Sequence, residues 1–157
     1  MAVDLHMLHE NLPVASQLRI QLVITEELML QWERIWDRDV PAEVHKLWIG
    51  LYTSLPLNMR SSLQKYLGLL NGEPVATAEL FLSNGMAYLG GVSTLPQYRQ
   101  QGIGAALTLS ALRAARQQGY RVGLLTASPM GFPIYRRIGF QERGTYSTYP
   151  WHPTYDE

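Results

Sequence analysis

The sequence predicts a mixed α/β fold, with a central sheet and helices on both faces. Its segments read in the order strand, two helices, three strands, helix, strand, helix, strand. The alanine- and leucine-rich run after Gly104 also joins two strands that can run parallel, so the sheet is expected to be mixed. A chain of 157 residues with 46% hydrophobic residues fits one compact domain.

The N-terminal residues show the weakest pattern in the chain. Residues 1–17 have no clear period and contain Pro13, so we expect an N-terminal arm. A single domain should then occupy residues 18–157. Its first element is a half-buried strand, because apolar and polar residues alternate over residues 18–24.

Two helices should follow this strand. Thr25 is a suitable N-cap, and two glutamates stand in the first turn, where the helix dipole favours acidic groups. The apolar stripe of this helix is formed by Leu28, Met29, Trp32, Ile35 and Trp36. A second helix should begin near Pro41 and end before Pro56. One of its faces carries Val44, Leu47, Trp48 and Leu51.

Three strands come next, over residues 63–70, 75–82 and 86–94. The dipeptide Asn71-Gly72 between the first two is a strong hairpin signal. Gly90-Gly91 inside the third strand predicts a bulge or a close backbone approach.

The last part of the chain should alternate helix and strand. A helix is predicted over residues 102–118, ending in a left-handed cap at Gly119. A short buried strand over residues 121–126 and a turn plus helix over residues 128–138 should follow. Residues 140–149 are expected to form one or two final strands.

The composition excludes several classes of function. The chain has no cysteine, which excludes disulfides, cysteine nucleophiles and thiolate metal sites. Its four histidines show no metal-ligand spacing, so we expect no metal site. No apolar run approaches the ~20 residues of a membrane helix, and the N-terminus lacks a basic-then-apolar signal pattern. We therefore expect a cytoplasmic protein with no membrane partner.

The charges are balanced overall but unevenly distributed. A formal net charge of zero argues against nucleic acid as a main partner. Residues 1–94 carry six basic and ten acidic side chains, whereas residues 95–157 carry seven and three. A polyphosphate ligand on the basic half would fit this distribution, and a solvated arginine face is the other interpretation.

A strand, a glycine loop and a helix follow one another at residues 94–107. This arrangement binds anions, because the first N–H groups of a helix lack internal partners and its dipole favours negative charge. Gly102 and Gly104 remove side chains that would keep a phosphate from the backbone, and Arg99 adds a positive charge. The spacing R-x-x-G-x-G matches neither the dinucleotide fingerprint nor the P-loop.

This spacing resembles the pyrophosphate loop of the GNAT superfamily of acyl-CoA-dependent N-acyltransferases, and the order of elements extends the resemblance over roughly residues 18–151. Val92-Ser93-Thr94 matches the point where that family's fourth strand splays from the fifth. Residues 128–140 match its last motif, in which a tyrosine precedes a Gly-Phe pair by four positions. The resemblance therefore implies a sheet splayed between strands 4 and 5, counted from residue 18, and acetyl-CoA as the acyl donor.

The resemblance also implies which residues bind the cofactor. They are Val92, Ser93, Thr94, Arg99, Gln100, Gln101, Gly102, Ile103, Gly104, Ala105, Ser128 and Tyr135. Ser128 stands where the family often has asparagine, so its hydroxyl either replaces that contact or serves as a helix cap.

For catalysis, the resemblance makes Tyr135 the general acid that protonates the departing thiolate. A phenol with an unperturbed pKa of ~10 stays protonated at neutral pH and is comparable to a thiolate in basicity. The backbone N–H of Val92 would hold the developing oxyanion. The other interpretation of Tyr135 is an amphipathic core residue.

The sequence does not decide which residue is the general base. Glu79 falls in the middle of a strand and could take a proton from the amine if its face looks into the cleft. If that face looks outward, Glu79 is a solvated strand residue. His45 and His152 are weaker candidates.

The resemblance places the acceptor site on the first two helices and the loop after them, residues 25–62. This region is acidic and rich in tryptophan, which suits a cationic amine, although core packing also explains the tryptophans. We therefore expect an N-acetyltransferase that acts on a primary amine of a small molecule or peptide, by direct attack in a ternary complex. The alternatives are a longer or charged acyl group, or a non-catalytic acyl-CoA-binding sensor or scaffold. The sequence leaves a homodimer open.

Overall fold

The computed structural model describes residues 1–36, 41–54, 62–145, 147 and 149. The strands are β1 (Ala2–Asp4), β2 (Leu18–Leu22), β3 (Leu63–Leu70), β4 (Glu73–Ser83), β5 (Met86–Thr94) and β6 (Val122–Leu125). The helices are α1 (Glu26–Trp36), α2 (Ala42–Thr53), α3 (Ile103–Gln117) and α4 (Phe132–Ile138). Short 3₁₀ turns lie at Leu5–Met7 and Pro96–Tyr98.

The strands form one sheet of six in the order β1-β6-β5-β4-β3-β2. Only the pair β5–β6 is parallel among the described ladders, and α3 is the crossover between these two strands. This confirms the predicted mixed α/β fold. The β5–β6 ladder covers Met86–Leu89 and Val122–Leu125, so the last five residues of β5 extend beyond it.

Helices pack on both faces of the sheet, as predicted. Neighbouring residues of β3 point to opposite sides: Tyr66 joins the core beneath α3, and Leu67 joins the core beneath α1. The larger core holds Leu107 and Leu112 of α3, both fully buried. In the smaller core, Trp32 of α1 is 1% exposed.

Turn residues adopt the conformations that their types predict. Asn71 and Gly72 have φ angles of 53° and 87°, the left-handed pair of a tight hairpin between β3 and β4. Gly119 and Gly139 also have positive φ angles just after α3 and α4. Thr25 caps α1, since its Oγ1 accepts the N–H of Leu28 at 3.3 Å.

The predicted bulge in β5 is present at Gly91. Thr77 pairs with Ser93 and Glu79 with Gly90, so two residues of β5 stand opposite one residue of β4. Gly91 has a φ of 56°, and a Cβ there would lie 3.0 Å from the Cβ of Glu79. A glycine is therefore needed at this position.

The N-terminal residues are more regular than the expected arm. Ala2–Asp4 pair with β6 as an antiparallel edge strand, and Leu5 is fully buried. A residue-by-residue period could not predict this strand, because it has three residues and its partner is more than a hundred positions away.

The expected strands over residues 140–149 are corrected in part. Gln141 forms a single antiparallel bridge with Ala2, and residues 142–145 have no regular structure. Residues 146, 148 and 150–157, with His152 among them, lie outside the described part of the chain.

The predicted apolar face of α2 does not pack into the core of the described residues. Leu47, Trp48 and Leu51 are all exposed, as is Trp36 at the end of α1. Of Trp32, Trp36 and Trp48, only Trp32 is therefore explained by core packing. No helix in the described residues is long and apolar enough to span a bilayer.

Candidate active site

The glycine loop leads directly into α3. Gly102 is the N-cap of this helix with a φ of 75°, and the first helical hydrogen bond joins the N–H of Ala106 to the carbonyl of Gly102 at 3.0 Å. The N–H groups between these positions have no partner within the helix. Their partial positive charge faces the loop and favours an anion there.

The two glycines of the motif have different reasons to be glycine. A Cβ at Gly102 would lie 2.1 Å from the carbonyl oxygen of Pro13, so the chain's own backbone excludes a side chain. A Cβ at Gly104 would lie 3.7 Å from Oγ1 of Thr94 and 3.9 Å from Cγ1 of Val92. These are ordinary contacts, so the fold leaves room beside Gly104.

A cleft of about 860 Å³ opens at this end of α3. Its lining includes Val92, Ser93, Thr94, Arg99, Gln100, Gln101, Gly102, Ile103, Gly104, Ala105, Ser128 and Tyr135. The structure thus brings all of the predicted cofactor-binding residues together in one cavity. They come from three separate parts of the sequence: the end of β5, the loop into α3, and the segment around α4.

The charged residues that line this cleft, within the described chain, are Arg99 and Arg137. Both are cationic, which favours an anionic ligand. The Nε of Arg99 donates to the carbonyl oxygen of Thr94 at 3.1 Å, so the guanidinium is held beside the end of β5. Its remaining N–H groups give it capacity for a further acceptor.

Tyr135 lies in α4 and faces both the cleft and the core. Its side chain is 8% exposed, and its ring meets Phe140 edge-on with centroids 6.0 Å apart. Burial raises the pKa of the Tyr135 phenol above its ordinary value. The phenol therefore stays protonated at neutral pH, as a general acid must.

Ser128 lines the cleft and also supports the start of α4. Its Oγ accepts the N–H of Gly131 at 3.2 Å, and its backbone carbonyl accepts the N–H of Phe132 at 2.9 Å. A hydroxyl that accepts one hydrogen bond can still donate its proton. Ser128 thus closes the turn before α4 and is not its N-cap, which is Gly131. This turn contact and a ligand contact are compatible.

Several cleft residues were not predicted from the sequence. They are Leu12, Pro13, Val14, Ala15, Tyr98, Met130, Gly131, Ile134 and Arg137. Arg137 lies two positions after Tyr135 in α4, a spacing that does not place two side chains on one helix face, so the helical pattern gave no signal for it. The four N-terminal residues carry no such signal, because a contact across almost ninety positions leaves no trace in a local pattern.

Glu79 lies on the other side of the sheet, beneath α1 and α2, and does not line this cleft. Its Oε2 accepts a hydrogen bond from Nζ of Lys65 at 2.6 Å. The Lys65 ammonium also sits 3.4 Å from the ring centre of Trp32 and 3.8 Å from that of Tyr52. Glu79 is thus neither a cleft residue nor a simply solvated one.

The remaining candidates lie apart from the cleft or outside the described chain. His45 is on α2 and does not line the cleft. His152 falls outside the described residues. Within the part of the chain that the structure describes, no three histidine, aspartate or glutamate side chains group as metal ligands.

Comparison with known proteins identifies the family. The model of the acetyltransferase (GNAT) family matches residues 23–140, about three quarters of the chain. The chain belongs to the GNAT family. No curated protein matches its sequence significantly. Acetyl-CoA is the acyl donor of GNAT enzymes, and the loop, the end of β5 and α4 all lie within the matched residues.

Solved structures of GNAT proteins share the fold. A GCN5-related N-acetyltransferase from Kribbella flavida matches with a TM-score of 0.69 and 25% identity, over 89% of this chain and 52% of that one. This chain therefore spans about half the length of that protein. An acetyltransferase from Clostridium acetobutylicum, solved with acetyl-CoA, matches with a TM-score of 0.63 and 17% identity over 85% of this chain and 96% of that one.

A third similar structure is also an acetyltransferase. It is an aminoglycoside acetyltransferase from an uncultured soil metagenomic sample, in complex with sisomicin. Its TM-score is 0.68 and its identity 15%, over 87% of this chain and 97% of that one.

Proposed function

We propose that this GNAT chain is an N-acetyltransferase that transfers the acetyl group of acetyl-CoA to a primary amine of a small molecule or peptide. The observation that carries the proposal is the single cleft that unites the predicted cofactor residues at the N-terminus of α3. The cavity falls within the usual size range of ligand sites. Its two arginines and its helix N-terminus suit a polyphosphate.

Each side of the cleft has a role in holding the cofactor. The N–H groups at the start of α3 and the guanidinium of Arg99 suit the pyrophosphate. The end of β5 extends beyond its ladder with β6, so backbone groups at Val92–Thr94 can bond the pantetheine arm. The hydroxyl of Ser128 would donate a hydrogen bond to the same pantetheine arm.

The cofactor supplies an activated thioester, which an amine can attack directly. Tyr135 would protonate the thiolate that leaves, since its buried phenol keeps its proton at neutral pH. Val92 falls between the paired residues Gly90 and Ser93 at the bulge. Its backbone N–H would stabilise the negative charge that develops on the carbonyl oxygen.

Glu79 is the candidate general base in this proposal. It stands on the side of α1 and α2, where the family resemblance places the acceptor. Its side chain keeps 27% exposure, which leaves access for an amine or a bridging water.

The test is a binding measurement followed by an amine panel. Calorimetric titration with acetyl-CoA should show one site per chain, and thiol release should then be followed with polyamines, aminoglycosides, amino acids and peptides. Thiol release that depends on one amine supports the proposal. Binding of acetyl-CoA with no turnover on any amine would instead support the non-catalytic sensor or scaffold. No binding would overturn both.

A further inference from the structure

The N-terminal segment continues past β1 and runs back along α3 to the glycine loop. We name residues 8–15 the strap. Its N-terminal end is held by α4, because the N–H of His9 donates to the carbonyl of Ile138 at 2.9 Å. Its C-terminal end is held by the loop, because the N–H of Ala15 donates to the carbonyl of Gln101 at 3.0 Å.

Glu10 fixes the middle of the strap to α3. Its Oε2 lies 2.7 Å from Nε of Arg113, and its Oε1 lies 2.8 Å from Nη1 of Arg116. Arg116 also donates to the carbonyl oxygen of Leu5 at 3.0 Å. The hydrogen bond from Arg116, with that from Arg113, holds the pKa of the Glu10 carboxyl below its usual range. The carboxylate is therefore the form that clamps the strap at neutral pH.

The far end of the strap forms one wall of the cleft. Leu12, Pro13, Val14 and Ala15 all line it, next to Gln101 and Gly102. The carbonyl of Pro13 occupies the place of a Gly102 side chain, so the strap directly contacts the anion-binding loop. Val14 remains 51% exposed although it lines the cavity, so its side chain is available to a ligand.

We propose that the strap is part of the cofactor site, that Val14 faces the phosphate-bearing half of acetyl-CoA, and that Glu10 is the positioning residue that holds the strap there. This inference rests on the proposed binding of acetyl-CoA. A wall that is fixed before the ligand arrives lowers the entropy lost on binding. The cleft thus depends on a segment that lies outside the residues matched by the family model.

The first experiment tests the contact by charge. Val14→Asp and Val14→Lys place opposite charges at one exposed position, and calorimetry measures the Kd of acetyl-CoA for each. The lysine variant should bind about tenfold more tightly than the aspartate variant, because the ligand is polyanionic. Met7 is the matched control, since it is 69% exposed in the same segment and does not line the cleft. Met7→Asp and Met7→Lys should bind acetyl-CoA equally.

The second experiment tests the clamp. Glu10→Gln removes the charge that joins the strap to α3, and we expect the Kd of acetyl-CoA to rise about three- to tenfold. Asp4→Asn is its control, because Asp4 pairs with Arg121 at 3.1 Å in the same segment but away from the cleft. A purely structural role for Glu10 would lower the melting temperature without changing affinity.

The outcomes separate the two proposals. If the unmodified chain does not bind acetyl-CoA, the proposed function fails. If it binds but the two Val14 variants have equal affinity, or Glu10→Gln binds as tightly as Asp4→Asn, the strap proposal is overturned and the proposed function stands.

Discussion

The ammonium of Lys65 lies 2.6 Å from Oε2 of Glu79, and the lysine side chain is only 2% exposed. A buried charge is stable when a partner neutralises it and when aromatic faces replace part of its hydration. Glu79 supplies the first of these, and Trp32 and Tyr52 supply the second. The ion pair therefore stabilises the packing of the sheet beneath α1 and α2, independently of any role of Glu79 in catalysis.

Glu79→Gln should lower the free energy of unfolding by about 1–3 kcal/mol, because it removes the carboxylate beside a buried ammonium. Urea denaturation measures this change. The double variant Lys65→Met/Glu79→Gln should recover part of the loss, since it removes the buried charge as well. If Glu79→Gln leaves stability unchanged while turnover falls, the carboxylate serves catalysis and the pair contributes little to the fold.

Gly104→Val should weaken acetyl-CoA binding and leave the fold intact. The space around Gly104 accepts a Cβ, but a branched side chain there would fill the room proposed for the pyrophosphate. Calorimetry and circular dichroism report affinity and fold. An unchanged Kd with a normal spectrum would remove this loop from the cofactor site.

Gly102→Ala is the informative comparison for that variant. A non-glycine residue at a φ of 75° costs about 1–2 kcal/mol, and the new Cβ would also meet the carbonyl of Pro13. We therefore expect Gly102→Ala to lower the melting temperature, which Gly104→Val should change less.

Ser128→Ala should lower stability by about 0.5–1 kcal/mol, because the N–H of Gly131 loses one of its two acceptors and keeps only the backbone carbonyl of Ser128 at 3.1 Å. If the hydroxyl also donates a hydrogen bond to the cofactor, the variant loses that bond. The Kd of acetyl-CoA should then rise about three- to tenfold. Thermal unfolding and calorimetry on the same variant measure both effects. An unchanged Kd would limit Ser128 to its role in the turn before α4.

The sequence predicted the parts of the fold that depend on local chemistry. Asn71-Gly72 and Gly119 adopt left-handed backbone, which the glycines at these positions predict. The bulge at Gly91 was predicted for the same reason. β5 leads directly into the loop before α3, and the residues predicted for the cofactor site in this half of the chain line the same cleft.

What the sequence did not predict depends on contacts between distant segments. β1 is three residues long, and its strand conformation depends on pairing with the edge of β6. Glu10 shows no special pattern in the sequence, yet it meets two arginines more than a hundred positions away. The environment of Glu79 could not be predicted either, because it depends on how α1 and α2 pack over Lys65.

The last prediction is that Tyr135 acts in the chemical step and not in cofactor binding. A phenol near the leaving sulfur gains most when negative charge develops there, so its loss should lower kcat more than it changes the KM for acetyl-CoA. General acid catalysis contributes ~10²–10⁴-fold, and Tyr135→Phe should reduce turnover on that scale. The variant keeps the ring that packs against Phe140, so a cavity cannot explain a large fall.

The pH dependence and a matched variant sharpen this test. Burial raises the pKa of the Tyr135 phenol above its ordinary value, and a general acid fails only as pH rises through its pKa. Turnover of the unmodified chain should therefore show no loss from this group at neutral and mildly alkaline pH. Tyr88→Phe is the control, since that phenol is 42% exposed and donates to Thr126 away from the cleft. It should retain normal turnover with the amine acceptor that the panel identifies. If Tyr135→Phe retains more than about half of the unmodified turnover while chemistry limits the rate, the general-acid role is wrong, and the cleft binds the cofactor without this residue's help in the chemical step.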